Sequence, residues 1–381
     1  MLTVVVVVAG LLTTPAQALQ YNQGRYGVTL EGFGNLAGGY ASGDEEIDDD
    51  IAGFGFGELR LLALADTGHD LVIGPRVTYR GLAGDNTDDS ALFGERSLIL
   101  LGSWGRLEFG ERRGLPDVLT GYAPNNYQFV SAEYGPASGP SLDPDGGLQT
   151  ALIDSALAAQ IAPLSGLGIT ADFFFDESLK VIYVGPKTKG FLPGISYAPH
   201  IDGGDGRFDD LIQTGLTWEH YSEQNILRVG GTYTYADGQQ TNSGATRTDD
   251  LHSFSLGASA TLDYDLTLGA SFTYNGDTGL TRSVGLPISE SAAYGYAASV
   301  NYNKGPWTVG GFIQTARAEG ATNQAGDDQL HALQGGVSYR TSTNVRYFAA
   351  VYLYEFDDEA GNTALANQDG VAALVRTRLN F

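Results

Sequence analysis

From Gln20 to Phe381 the chain alternates polar and apolar residues in segments of about ten, each closed by a break rich in turn or charged residues. Leu71, Ile73, Val77 and Tyr79 fall on one side of such a segment, and Asp70, Arg76, Thr78 and Arg80 on the other. Leu266, Leu268, Ala270, Phe272 and Tyr274 alternate in the same way with Thr267, Gly269, Ser271 and Thr273. Val345, Tyr347, Ala349, Val351 and Leu353 form another apolar face, as do Val371, Ala373, Val375, Leu379 and Phe381. Successive side chains of a strand point to opposite faces, so this dyad period is the mark of strands with two different environments. A soluble sandwich also alternates. Here, however, the polar faces carry Thr, Ser, Gln and Arg, which a dry core does not tolerate and a wet lumen does. Tyr and Trp gather at segment ends, as with Trp218, Trp307, Tyr302 and Tyr339, where amphipathic rings suit a water–lipid boundary.

The breaks count the strands. Seven are tight: Asp66–Gly68, Gly102–Trp104, Gly185–Gly190, Ser222–Gln224, Asp263–Asp265, Asn303–Pro306 and Thr341–Asn344. Eight longer polar loops lie between them, and seven turns with eight loops join 16 strands with both termini on the turn side. The strands are expected over 25–37, 53–65, 69–80, 94–101, 105–112, 179–184, 191–198, 211–221, 225–236, 251–262, 265–275, 291–302, 306–316, 329–340, 345–356 and 371–381. An Arg facing lipid at the bilayer midplane costs about 2–4 kcal/mol, so Arg76 and Arg80 are expected to face inward. Two segments resist the pattern. Leu98 to Leu101 do not alternate, and Phe54 and Phe56 share parity with Glu58 and Arg60.

Residues 1–18 read as a cleaved export signal: an apolar run from Leu2 to Leu12, then Thr13-Thr14-Pro15 and the small-x-small exit Ala16-Gln17-Ala18. No Lys or Arg precedes the run. It is too short for a spanning helix, which takes roughly 20 residues, and no other segment comes near that length. A chain that spans a membrane without helices must do so as a closed barrel, because lipid leaves no partner for open backbone groups. Residues 19–381 are therefore expected to form one transmembrane antiparallel β-barrel, an all-β fold. Composition agrees. With 53 Gly, 21 Tyr, one Met and no Cys, the chain is unlike a helical enzyme and excludes a disulfide scaffold or thiolate metal site.

The net charge of −24, from 45 acidic against 21 basic residues, excludes nucleic acid as an expected partner. The acids cluster in the longer breaks: Asp44-Glu45-Glu46 with Asp48-Asp49-Asp50, Asp88-Asp89, Asp209-Asp210, Asp327-Asp328 and Asp357-Asp358-Glu359. No cofactor is required by any motif. Asp44, Glu45, Glu46 and Asp48 are the candidate ligands for calcium or magnesium, which take six or more oxygens. The plainer reading is solvated, mutually repelling loops, and it has the greater weight.

One connection breaks the rhythm. Residues 113–178 separate the fifth and sixth expected strands, and a connection that long usually has a role of its own. Its middle reads as a short helix, capped at Asp143-Pro144 with Leu148, Leu152, Ala156 and Ala159 at helical spacing. It is expected to fold into the lumen as a constriction loop rather than to lie outside as a flap or subunit contact.

Four stretches carry a resemblance to a known family. They are the opening strand Tyr26-Gly27-Val28-Thr29-Leu30-Glu31-Gly32, the turn and strand Gly102-Ser103-Trp104-Gly105-Arg106-Leu107-Glu108-Phe109-Gly110, the span Lys180 to Pro199, and the alternating strand ending in Phe381. Together they resemble the Gram-negative general porins, especially the α-proteobacterial branch, over essentially the whole chain after the signal. The resemblance implies a 16-stranded homotrimer in the cell outer membrane, in contact with lipid and lipopolysaccharide, passing ions and small hydrophilic solutes by passive diffusion. It implies that Phe381 is the insertion signal read by the barrel-assembly machinery. It also implies a constriction in which acids of the third loop (Asp117, Glu133, Asp143, Asp145 and Asp154) face a ladder of wall arginines (Arg60, Arg76, Arg80, Arg346, Arg376 and Arg378). Such opposed charges set up a transverse field that orients polar solutes. For each Arg the alternative is a lumen residue that is solvated or paired with a neighbouring strand. The chain departs from the family at Glu111, where relatives often carry Arg, and in a longer third loop.

Enzyme signatures are missing from the sequence: no His-Glu-x-x-His, no Gly-x-Ser-x-Gly, and Phe191 where a phosphate loop needs Lys. His69, His200, His220, His252 and His331 are widely scattered and read as polar strand-end or belt residues. The expectation is a non-enzymatic channel with a mild cation preference from its acidic loops. The competitors are a substrate-specific channel, with stacked aromatics along the lumen, an outer-membrane hydrolase with His beside Ser or Asp at the rim, and a loop-borne adhesin or receptor.

Overall fold

The computed structural model describes residues 19–43, 50–84, 94–120, 178–201, 208–239, 246–276, 281–283, 293–318, 327–342, 344–357 and 368–381. In chain order the strands begin with β1 (Leu19–Gln23), β2 (Tyr26–Gly43), β3 (Asp50–Asp66), β4 (Val72–Gly84), β5 (Arg96–Gly102) and β6 (Gly105–Glu111). A one-and-a-half-turn helix, α1 (Leu115–Thr120), follows. Then come β7 (Leu179–Val184), β8 (Phe191–His200), β9 (Phe208–Tyr221), β10 (Ile226–Gly238), β11 (Thr246–Thr248), β12 (Leu251–Leu262) and β13 (Leu266–Gly276). The last are β14 (Thr281–Ser283), β15 (Ala293–Lys304), β16 (Trp307–Ala318), β17 (Asp328–Arg340), β18 (Val345–Asp357) and β19 (Gln368–Asn380).

Sixteen of these strands, from β2 through β10 with β12, β13 and β15 to β19, pair antiparallel in sequence order and close on themselves through β19 and β2. The seam runs from Gly370 opposite Gly43 to Asn380 opposite Phe33. At its end Phe381 donates its N–H to the Gly32 carbonyl at 2.9 Å and accepts the Gly32 N–H at 2.8 Å. Gly32 is required there: a Cβ would meet the Glu58 carbonyl at 2.4 Å and the Phe381 ring at 2.9 Å. Beyond Phe381, β1 continues along the same edge of β2, with Leu19 opposite Leu30 and Gln23 opposite Tyr26. β11 and β14 form a separate two-stranded patch among the loops. Closure gives every wall strand a hydrogen-bonded neighbour on both sides, as lipid demands.

Every expected strand is present, and β7 and β12 keep the expected bounds; most others run a few residues longer at the loop side. β1, β11, β14 and α1 were not foreseen, and the helix expected from Asp143 lies outside the described residues. Exposure alternates as the dyad pattern requires. On β18, Tyr347, Val351 and Leu353 face outward while Phe348, Ala350, Tyr352 and Tyr354 are buried on the inner side. On β13, Leu268, Phe272 and Tyr274 are exposed, and Thr267 and Thr273 are buried inside. The non-alternating Leu98 to Leu101 sorts into outward Leu98 and inward, buried Ile99.

Aromatic rings mark the turn-side rim. Trp307 lies against Tyr339 with centroids 4.5 Å apart, and Trp104 stacks on Tyr183 at 6.3 Å, whose hydroxyl donates to the Trp104 carbonyl at 2.7 Å. Neighbouring turns are tied together. The Asp70 carboxylate accepts the Ser103 N–H at 3.0 Å, and its bonds with Ser103 hold that carboxyl below the ordinary aspartate pKa. Among the described residues no helix is long and apolar enough to cross a membrane.

Candidate functional site

The inner wall is polar and well satisfied on one half. Gln213, Thr217, Thr232, Thr234, Ser253, Ser255 and Thr273 all point inward from β9, β10, β12 and β13 and are buried. Ser196 donates to Gln213 Oε1 at 2.9 Å, and Ser255 and Thr273 share a bond of 3.1 Å across strands. A soluble β-sandwich would fill these positions with apolar side chains.

Onto this half the chain sends α1. Leu115 and Leu119 are fully buried against Ile182 and Val184 of β7, with Val118 and Leu192 completing the contact. Ile182 and Val184 belong to the inward set of β7, while Val181 and Tyr183 face out, so α1 lies inside the barrel. Its first free N–H, that of Leu115, donates to Gln213 Oε1 at 2.8 Å, and Pro116 has no N–H to satisfy. The wall is hollowed to receive it. A Cβ at Gly194 would stand 2.6 Å from Leu115 Cδ1, and one at Gly215 would stand 2.5 Å from Leu119 Cδ1. The segment that follows β6 therefore enters the lumen at once and seats on β7 to β10.

The other half, from β18 through β19 and β2 to β6, carries the arginines. Arg60, Arg76, Arg346, Arg376 and Arg378 all occupy inward positions, as parity required. Arg80 has the same parity, but its side chain lies outside the described residues, as does that of Asp117. Glu133, Asp143, Asp145 and Asp154, and the candidate cation ligands Asp44, Glu45, Glu46 and Asp48, are likewise outside them. Among the described residues no group of three or more His, Cys, Asp or Glu is gathered as for a metal.

Carboxylates of the same wall engage several of these arginines. Arg60 reaches Glu58 at 2.9 Å and Glu31 at 3.1 Å. Glu95, just before β5, takes Arg76 at 2.9 Å on one oxygen and Arg112 on the other. Arg112 also donates to Glu108 at 2.8 Å, and Arg106 lies 2.9 Å from the second Glu108 oxygen. Glu95, Glu108 and Arg112 are all nearly fully buried. In a low-dielectric setting such charges persist only when each has a partner. Glu31, Glu58, Glu95, Glu108, Arg106 and Arg112 were not singled out from sequence. The inward parity of Glu108 against lipid-facing Phe109 was the available signal. Glu111 faces the other way, paired with Arg96 on the outer side, so it has no bearing on lumen charge.

Further round, guanidiniums lie over aromatic faces. Arg376 sits 4.1 Å from the Phe348 centroid, Arg378 sits 4.0 Å from that of Phe33, and Arg346 lies 5.8 Å from Phe348. Tyr352 and Tyr354 stack above Phe348 with centroids 5.9 Å apart. These rings are buried at 4–8% exposure, so they pack and hold neighbours rather than offer faces to a solute.

The architecture is shared with solved outer-membrane proteins. The anion-selective porin of Comamonas acidovorans superposes with a TM-score of 0.61 at 16% identity, over 93% of this chain and 100% of that one. OmpF of Salmonella typhi, solved with daunomycin, gives 0.64 at 12% identity, over 95% and 100%. In-vitro folded OmpT of Vibrio cholerae, described as a trimer form, gives 0.56 at 13% identity, over 93% and 99%. No curated protein sequence matches the chain. At these identities the likeness establishes the fold, and membership comes from sequence: the family model for the Gram-negative porin matches residues 2–359. A closed 16-stranded barrel with a polar, charged lumen and that match make this chain a member of the Gram-negative porins, an outer-membrane channel for passive diffusion.

Proposed function

We propose that the protein is a homotrimeric general porin, exported by a signal spanning residues 1–18, that passes ions and small hydrophilic solutes without turnover chemistry. Its short turns face the periplasm, and residues 113–178 narrow the lumen. The observation that carries this is α1. The first turn of the long connection is already inside the barrel, seated on glycine hollows opposite the arginine wall. From there Asp117, Glu133, Asp143, Asp145 and Asp154 are within the same connection to oppose Arg60, Arg76 and Arg80 and create a transverse field. Wall carboxylates already offset Arg60, Arg76, Arg106 and Arg112, so the wall adds little net charge there and the acidic loops tip the pore toward cations. Phe381, at the closing seam, is the insertion signal for the assembly machinery. Asp44, Glu45, Glu46 and Asp48 belong to an acid run read chiefly as solvated, and they are the ligands proposed for calcium or magnesium where such ions bridge to lipopolysaccharide phosphates.

A substrate-specific channel would line its path with accessible aromatic faces, and the buried state of Phe348, Tyr352 and Tyr354 disfavours it. The test is single-channel recording from the purified, refolded protein in a planar bilayer, with the reversal potential under a KCl gradient. Large ohmic steps in groups of three, with a small potential of cation-selective sign, are expected. A folded, inserted barrel without conductance would sink the reading.

A further inference from the structure

Hydrogen bonding divides the uncharged part of the inner wall in two. On β8 to β13 the polar side chains bond one another, as Ser196 does Gln213 and Ser255 does Thr273. On β17 the same kind of residue is left alone. Gln334 is 1% exposed, and among the described residues neither its amide oxygen nor its amide nitrogen has a partner. On β15 the buried Ser299 Oγ is without one as well. Tyr354 Oη is a third such atom, but it leans over Gly370 of β19, two strands away from Gln334. Leaving a buried amide unpaired at both ends is costly, so its partner comes from outside the wall.

Register puts a hollow beside Gln334. One inward row nearer the turns, Gly310 of β16 lies opposite Gly336 of β17, with Asn301 on one flank and Ala350 on the other. Both glycines are part-exposed, and with no side chains they leave a floor of bare backbone that a ligand can approach closely. Phe312 and Tyr352 stand directly opposite Gln334 on either side of it, and Thr308 opposes Ser338 on the turn side of the floor. From β15 to β18 these rows hold no charged residue, whereas the wall from β3 to β6 is lined with arginine and carboxylate. Gly310 has Gln334 and Ser299 as its two diagonal neighbours, at about 7–8 Å, so a small ring lying on the floor sits between them.

We propose that Gln334 and Ser299, with the floor at Gly310 and Gly336, form a binding hollow in the lumen for neutral polyhydroxylated solutes, the sugar class. The amide offers a donor and an acceptor together, and the serine hydroxyl serves as either. Adjacent hydroxyls of a sugar match that set and bring no charge to be desolvated. Phe312 and Tyr352 are packed, so they keep water from the amide rather than stack on the sugar. The hollow therefore slows solutes of this class without making the channel exclusive to them. At 1% exposure the amide is met only when the packing over it gives way, so capture is slow. The inference rests on the channel reading for its role: such solutes pause in the lumen as they pass.

The experiment records single channels of the refolded protein in a planar bilayer with sucrose added, and follows sucrose binding to the same protein in detergent by saturation-transfer NMR. Discrete, saturable closures are expected, equally frequent at low and high KCl because no charge takes part. A polyethylene glycol of similar mass, which accepts hydrogen bonds along its length and donates only at its ends, should give none. Gln334→Met keeps the side-chain length without the amide. It should weaken sucrose binding about tenfold and raise the denaturant midpoint of the barrel, since a buried group without partners is lost. Gly336→Val fills the floor and should abolish binding, with Gly336→Ala in its place if that variant does not fold. Ser255→Ala, on the partnered half, should leave binding unchanged. No sucrose binding by the wild type, closures that change with KCl, or equal affinity in wild type and Gln334→Met overturns the hollow. So does a lower midpoint for Gln334→Met, which would mean that the amide is already satisfied within the wall. Binding that depends on Gln334 in a barrel that never conducts would instead overturn the channel reading and leave the hollow standing.

Discussion

Glu95 holds Arg76 of β4 and Arg112 just past β6 while only 2% exposed, and it is the residue whose loss the lumen wall should feel most. Glu95→Gln leaves Arg76 and Arg112 without their shared countercharge. Breaking one side of a buried ion pair costs about 3–5 kcal/mol. Glu111→Gln removes a pair with both side chains over a third exposed and should cost under about 1 kcal/mol. Chemical unfolding of the two variants in the same detergent measures the contrast, and equal midpoints would show that the network carries no stability. At this scale parity alone was enough to face Arg60, Arg76, Arg346, Arg376 and Arg378 inward, because the strand period is two. Their partners were not legible. Which carboxylate meets which guanidinium depends on register between strands, and Glu95 lies just outside a strand, where parity no longer places a side chain. The expected facing of loop acids Glu133, Asp143, Asp145 and Asp154 falls outside the described residues.

Two glycines decide where an element of the lumen sits. Gly194 and Gly215 leave the hollows that Leu115 and Leu119 fill, so α1 is held by apolar contact on a wall otherwise lined with Thr, Ser and Gln. Gly215→Val brings a side chain into Leu119 and Thr232, and overpacking of this kind costs about 1–3 kcal/mol. The tightest contact is with Leu119, so the larger share of the cost falls on the docking of α1. The Arg113–Gly114 bond, at the entry to α1, should then be cut by trypsin about tenfold faster, since cleavage follows the population of the open form. Unchanged cleavage would mean that α1 is held from elsewhere. The same scale shows why the strands could be read and α1 could not. Most wall strands repeat their signal over ten or more residues, and the short β5, β6 and β7 are fixed by the tight turns beside them, whereas the six residues of α1, too short a pattern to show a face, have no such turn to frame them. β1, β11 and β14 escaped for that reason as well, being three to five residues long.

Across the whole molecule the outer surface is uneven. From β9 to β13 large side chains face out: Leu216, Leu227, Phe254, Leu256, Leu268 and Phe272 are all exposed. From β17 through β19 to β2 the outward positions include Gly335, Ala349, Ala373 and Gly38, which floor a shallow apolar groove of about 710 Å³ walled by Val337, Val351 and Val375. Within a membrane, lipid tails are as apolar as Leu, so hydrophobicity does not choose one face over another. Small residues do, because they let a second backbone approach closely and pack. That groove straddles the closing seam, and the proposed trimer places its contacts there, leaving the bulky half to lipid. Ala373→Trp fills the floor and should reduce the particle in detergent to one third of its protein mass by light scattering. Leu268→Trp, on the bulky half, should leave the mass unchanged. If both variants keep the wild-type mass, the subunits meet on another face. If both lose it, the substitution harms the barrel itself rather than a contact, and a shift in the unheated electrophoretic mobility of the monomer would show that directly.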